Sequence, residues 1–152
     1  MTSTKSSLEV SQQVPARREE VYQACSRSEQ MDWYCPEDME LVVASADVRV
    51  GGEFRASMRG PDGEVHTCFG KYLEIVPNRK ILFTHQWEGK GEQKASVETR
   101  ANFEFADKDG GTLVTFKQWG FVDPEEAKEH EKGWQSTLRN LKRRFATSKK
   151  SP

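Results

Sequence analysis

The sequence predicts an α+β, helix-grip fold: a curved antiparallel sheet of about six to seven strands wrapped around one long C-terminal helix, with two short helices after the first strand. Three observations carry this. The end of the chain holds one long amphipathic helix with a full start signal. The middle alternates apolar and polar residues between tight turns. Strands that are polar on one face need a cover for the other, and the terminal helix is the one element long enough to supply it. There is no internal repeat and no linker, so residues 1–152 read as a single domain with an ordered core over residues 8–146.

Leu8 to Val14 alternates and reads as the first strand; Pro15 ends it. Ala16 to Cys25 reads as a helix with Val21, Tyr22 and Cys25 on one side. A second short helix is expected over Ser28 to Trp33, with Ser28 as its cap. Trp33-Tyr34-Cys35-Pro36 is an aromatic-rich loop. Leu41 to Val50 reads as a strand ended by Gly51-Gly52. Glu53 to Arg59 puts Phe54, Ala56 and Met58 on one face, and Gly60-Pro61-Asp62-Gly63 is a hairpin turn. Glu64 to Val76 is a long strand with a bulge or bend expected at Gly70. After Pro77-Asn78, Arg79 to Glu88 places Ile81, Phe83, His85 and Trp87 together. Gly89 to Lys94 is a polar loop. Ser96 to Ala106 points Val97, Thr99, Ala101, Phe103 and Phe105 inward. Asp109-Gly110-Gly111 turns the chain into Thr112 to Trp119, with Val114, Phe116 and Gln118 inward.

The terminal helix starts at Asp123-Pro124-Glu125-Glu126. Asp123 can accept from free N–H groups of the first turn, Pro124 suits the first helical position, and Glu126 completes a capping box. Acids fill the first half and bases the second, which complements the helix dipole. Ala127, His130, Trp134, Leu138, Leu141 and Phe145 form one stripe. About 23 residues to Phe145 make a rod of roughly 35 Å. Gly133 interrupts it at a cost of about 0.5–1 kcal/mol, which points to close approach or to a cavity beside the helix. Ser148 to Pro152 is expected to be a disordered tail.

Composition narrows the function classes. Hydrophobic residues are 35% and charged residues 31%, with a net charge of -1, so no global field draws the chain to nucleic acid or an anionic membrane. No apolar run reaches the length of a membrane span. Cys25, Cys35 and Cys68 lack paired spacing and are expected to be free thiols. Met1 to Ser7 has no apolar signal core, and the expected compartment is the cytoplasm. The basic end Lys142, Arg143, Arg144, Lys149 and Lys150 reads as a solvated helix terminus, since no aromatic platform for single-stranded nucleic acid accompanies it.

Several motifs stand in a family order: Asp47-Val48-Arg49-Val50-Gly51-Gly52-Glu53-Phe54, Gly70-Lys71-Tyr72-Leu73-Glu74-Ile75, Arg79-Lys80-Ile81-Leu82-Phe83-Thr84, Gly111-Thr112, Gly120-Phe121 and His130-Glu131-Lys132-Gly133-Trp134. Val14-Pro15-Ala16-Arg17-Arg18-Glu19-Glu20-Val21-Tyr22 resembles the same family's strand-to-helix entry. Together they resemble the SRPBCC (START/Bet-v-like) superfamily, in the branch homologous to the C-terminal domain of the activator of the Hsp-ninety ATPase. The resemblance covers residues 8–146 and implies a cavity between sheet and long helix. Tyr34 stands where the family often has a second Trp, and His85 where an aromatic residue is more usual; both change the polarity of that cavity. The fold hosts lipid carriers, hormone receptors, cyclases and co-chaperone domains, so it does not fix a function.

The inward-facing set is Trp33, Phe54, Met58, Phe83, His85, Trp87, Phe103, Phe116, Gln118, Gly133, Trp134 and Leu138. It has the composition of a small-ligand site, apolar with a few polar groups, and reads equally as packed core. His85 and Gln118 are expected on adjacent strands, able to hydrogen-bond a ligand or to satisfy each other. His66, His85 and His130 lack the spacing of a metal site, and no cofactor is expected. Asp47 reads as a structural ion-pair or turn contact near Gly51-Gly52. No nucleophile elbow or phosphate loop is present, and no catalytic residue is assigned.

The expected function is non-enzymatic binding of a small hydrophobic or aromatic molecule, by a monomer or homodimer. A chaperone-associated stress-response domain acting through its surface is the alternative, weakened by the lack of the eukaryotic activator's additional N-terminal domain. A polyketide cyclase-like enzyme or hydrolase using His85 as acid or base is the further alternative.

Overall fold

The computed structural model describes residues 7–89 and 96–150, the last four of them as helix backbone. Seven strands form one sheet: β1 (Ser7–Val14), β2 (Glu40–Ala46), β3 (Glu53–Arg59), β4 (Val65–Val76), β5 (Lys80–Trp87), β6 (Thr99–Lys108) and β7 (Gly111–Trp119). Two helices accompany it, α1 (Arg18–Ser26) and α2 (Pro124–Lys150). The sheet order is β1-β7-β6-β5-β4-β3-β2 and every pairing is antiparallel. The result is an α+β helix-grip fold.

Local chemistry sets the turns. Asp109 (φ 51) and Gly110 (φ 79) make a two-residue link between the paired Lys108 and Gly111, the left-handed backbone that a tight hairpin between twisted strands requires. At the β3–β4 turn, Gly63 N–H donates to Gly60 C=O at 2.9 Å, and the register that follows sets Met58 opposite His66 and Ala56 opposite Cys68. Asp47 and Arg49 pair at 2.9 Å beside Gly51 and Gly52, the structural contact expected there.

α2 opens with the expected Asp123 cap, while the Glu126 half of the capping box is displaced by one residue. Asp123 Oδ1 accepts the Glu126 N–H at 2.9 Å, while the Glu126 carboxylate reaches back to the Val122 N–H at 3.3 Å, one residue before the N-cap. The helix runs 27 residues, past the expected end at Phe145 and through Ser148–Lys150 of the expected tail. It lies closest along β1. Its stripe meets the sheet through Ala127, Trp134, Leu138 and Leu141, all buried.

Several expectations are corrected. The second helix is one 3-10 turn, Ser28–Gln30, and Ser28 caps nothing; its hydroxyl accepts the Ala46 N–H at 2.8 Å and donates to Ala46 C=O at 3.2 Å. β2 stops at Ala46 because residues 47–52 fold into the compact Asp47–Arg49 turn. β6 starts at Thr99, so Val97 faces outward, 45% exposed. The irregularity expected at Gly70 falls between Tyr72 and Glu74, where β4 slips against β5. The loop expected at Gly89–Lys94 lies almost wholly outside the described residues.

Candidate functional site

Because α2 follows β1 at one end of the sheet, it stands off from β3, β4 and β5, and the gap is a cavity of about 310 Å³. Its sheet wall is Met58, His66, Cys68, His85 and Trp87. Its helix wall is Glu129, His130, Gly133, Trp134 and Thr137, and the loop Tyr34–Met39 closes one side through Tyr34, Cys35, Pro36 and Met39. Gly133 faces this space: a Cβ there would touch only Pro36 Cγ, at 3.9 Å. The cavity reading of the glycine therefore holds.

The walls are set by hydrogen bonds among several of their polar groups. Trp87 donates its indole N–H to His130 Nε2 at 3.0 Å, and His130 Nδ1 lies 2.8 Å from the Glu126 carbonyl. An acceptor role at Nε2 makes Nδ1 the protonated nitrogen, which donates to that carbonyl. Trp134 donates to Gln118 Oε1 at 2.9 Å, Gln118 Nε2 donates to Thr99 Oγ1 at 2.8 Å, and Thr99 donates to the His85 carbonyl at 2.8 Å. Thr137 donates to Gly133 C=O. Burial, with a smaller contribution from His130, lowers the His85 imidazole to about 3, so the ring is neutral. Burial likewise raises the Cys68 thiol to about 12 and the Tyr34 phenol well above its usual value. This thiol and this phenol stay protonated at neutral pH.

Of the twelve sequence-selected residues, Met58, His85, Trp87, Gly133 and Trp134 line this cavity. Trp33, Phe54, Phe83 and Phe103 surround a separate void of about 10 Å³, and the Trp33 indole N–H is bound to the Ala24 carbonyl at 2.9 Å. Phe116 and Leu138 are fully buried in packed core. His85 and Gln118 are not on adjacent strands: β6 lies between them, and Thr99 bridges them. Sequence reasoning missed His66 and Cys68, which follow from the hairpin by counting outward from its turn. It missed Thr137 and Glu129 as well, which lie four residues either side of Gly133. The three histidines share the cavity wall, yet no group of three or more His, Cys, Asp or Glu among the described residues is placed to hold a metal ion.

The loop is clasped to the outer side of α2. Glu37 accepts from Arg139 at 2.9 Å and from Ser136 at 3.1 Å, pairs with Arg143, and its backbone N–H donates to Ser136 Oγ. Asn140 donates to the Cys35 carbonyl at 2.8 Å, and Arg144 pairs with Asp32. The basic end of the helix is thus partly consumed within the fold. Arg139, then Arg143 and Ser136, hold the Glu37 carboxyl down at about 2. An unfolded glutamate titrates at about 4.3. A depressed folded value stabilises above about 4.3 and loses that contribution as pH falls toward 2. The thermal midpoint of wild type is therefore expected to exceed that of Glu37→Gln at pH 6, with the gap closing between pH 4 and 2. A gap independent of pH would show that the clasp does not depend on the charge.

The geometry defines an α+β helix-grip protein with a cavity between sheet and terminal helix. Residues 15–146 match the family described as Activator of Hsp90 ATPase homolog 1-like protein, and the chain belongs to that family. No curated protein matches the chain. Among solved structures it is similar to a protein of Nitrosomonas europaea, at 21% identity and TM-score 0.79, covering 97% of this chain and 99% of that one. It is also similar to the AHSA1 protein of Silicibacter pomeroyi, at 20% identity and TM-score 0.81, covering 93% and 99%. DynU16, a protein from the dynemicin biosynthetic locus, is similar at 18% identity and TM-score 0.74 over 94% of this chain, which spans 48% of DynU16. At these identities the likeness speaks to the fold alone. No helix among the described residues is long and apolar enough to cross a membrane.

Proposed function

We propose that the chain binds a small hydrophobic or aromatic molecule in this cavity and releases it unchanged. The observation that carries the reading is the cavity of about 310 Å³ beside Gly133, within the size range of small-molecule sites. A protein interior normally closes such space, because unfilled lining forfeits its dispersion contacts. Keeping a glycine in mid-helix costs about 0.5–1 kcal/mol relative to alanine, and the open space beside it gives that cost a purpose. The three free cysteines support a reducing compartment such as the cytoplasm. Surface engagement of a chaperone is the second reading, favoured by the family's description.

The test is Gly133→Leu. The new side chain enters open space and improves helix propensity, so the protein is expected to stay folded, with stability unchanged or raised by up to about 1 kcal/mol. Binding of aromatic and polyketide-like probes, read through Trp87 and Trp134 fluorescence, is expected to fall at least about tenfold. If no probe binds wild type below millimolar, or if Gly133→Leu binds as wild type does, the cavity reading fails and the surface reading replaces it.

A further inference from the structure

We propose that the cavity selects uncharged ligands bearing a hydroxyl or carbonyl oxygen, held by the Tyr34 hydroxyl and the His85 imidazole, and rejects carboxylates. This rests on the cavity reading above and narrows it to a ligand class.

Tyr34 and His85 are 4% and 3% exposed, and both line the cavity. Their rings share neighbours: Phe54, at 6.5 and 6.1 Å between centroids, and Trp134, at 5.7 and 6.0 Å. The fully enclosed side-chain polar atoms without partners among the described residues are Arg18 Nε and Asn102 Oδ1. The Tyr34 hydroxyl and His85 ring nitrogens are not among them. No described residue hydrogen-bonds them, and both side chains line the cavity. Of the other polar groups of the wall, both His130 nitrogens, both indole N–H groups and the Thr137 hydroxyl proton are already engaged, while His66 is half-buried and Glu129 exposed, so neither depends on the occupant for a partner. A buried polar group needs a partner, and here the occupant of the cavity must supply it.

The charge of the wall sets the ligand's charge. Among the described residues no Lys or Arg lines the cavity, and its one carboxylate is Glu129. His85 is neutral and Tyr34 is protonated. A carboxylate entering here would lose its hydration with no cation to replace it. A phenol, alcohol or ketone oxygen fits: it accepts from Tyr34, while His85 accepts a hydroxyl proton or donates to a carbonyl, according to its tautomer.

The experiment is equilibrium dialysis at pH 8, where ordinary imidazoles are neutral. The probes share one bicycle: naphthalene, 2-naphthol and 2-naphthoate. Wild type is expected to bind 2-naphthol about tenfold more tightly than naphthalene, which leaves both polar groups dry, and at least about tenfold more tightly than 2-naphthoate. In Tyr34→Phe and in His85→Leu the naphthol-to-naphthalene ratio is expected to shrink at least about threefold. That ratio cancels any general change in cavity shape. Equal or tighter binding of 2-naphthoate, or an unchanged ratio in both variants, overturns the inference. If naphthalene binds but naphthol shows no preference, the cavity reading stands and this inference falls. If none of the three binds, both fall.

Discussion

Trp134→Ala is expected to cost about 3–5 kcal/mol, a large share of a typical 5–15 kcal/mol stability. Trp134 is 7% exposed and stacks on Phe116 at 3.8 Å between centroids. It meets Tyr34, His85 and Phe103 edge-on. Its indole N–H also anchors α2 to β7 through Gln118, which is 1% exposed. Alanine at this position would both extend the existing cavity and leave the Gln118 oxygen without its donor, and an unpartnered buried acceptor is expensive. Trp134→Phe separates the two effects in part, since it keeps a ring against Phe116 and leaves less space than alanine while losing the donor; its loss should be the smaller. Urea unfolding followed by circular dichroism measures both. A midpoint for Trp134→Ala within error of wild type would show that the helix does not depend on this side chain.

The second large effect is expected at Gly70, from addition of a single methyl group. A Cβ there would sit 1.8 Å from the Thr84 carbonyl oxygen and 2.7 Å from the Phe54 ring. The first contact is with backbone, which cannot rotate away. The local sheet is already specialised at this point, because the Lys71 N–H donates to the Thr84 hydroxyl at 2.9 Å. To admit alanine, β4 and β5 must part or Phe54 must leave the aromatic cluster. The expected cost of Gly70→Ala is about 3 kcal/mol, the upper end for overpacking. A loss below 0.5 kcal/mol by the same measurement would mean the strands separate freely.

Where the chain obeys a simple period, the sequence was readable. β3 carries its buried residues at every second position, β5 and β7 do so apart from Thr84 and Gly111, and the turns at Gly60–Gly63 and Asp109–Gly110 stand where glycine chemistry demands. The site was legible only in part. Alternation tells which face of a strand is inward, and so it selected Phe83 and Phe103 together with His85. It does not tell how far the helix stands from each strand, and that distance divides cavity from packed core. Trp33, Phe54, Phe83 and Phe103 pack on one another, while His85, Trp87 and Trp134 border space. Tyr34 to Met39 have no period at all. Their position depends on Glu37 and Cys35 meeting α2 about a hundred residues later, a long-range pairing that local sequence rules do not encode. Ser28 shows the same limit: its cap-like position was visible, but the partner it chose, Ala46, was not.

The order β1-β7 has a consequence for how the protein is made. β1 leaves the ribosome first, yet its partner residues 112–119 are near the end of the chain. At a synthesis rate of about 5–20 residues per second, β1 waits roughly 5–20 seconds with its hydrogen-bonding edge unpaired. The strands β2 to β7 can meanwhile zip up as consecutive hairpins, each closing a short loop. α2 then arrives last and lies down along β1, so the element that completes the sheet and the element that covers it are joined in one late step. Until α2 is in place, β1 can pair with β7 yet keep its apolar face uncovered, a species more open to proteases and to aggregation than the finished fold.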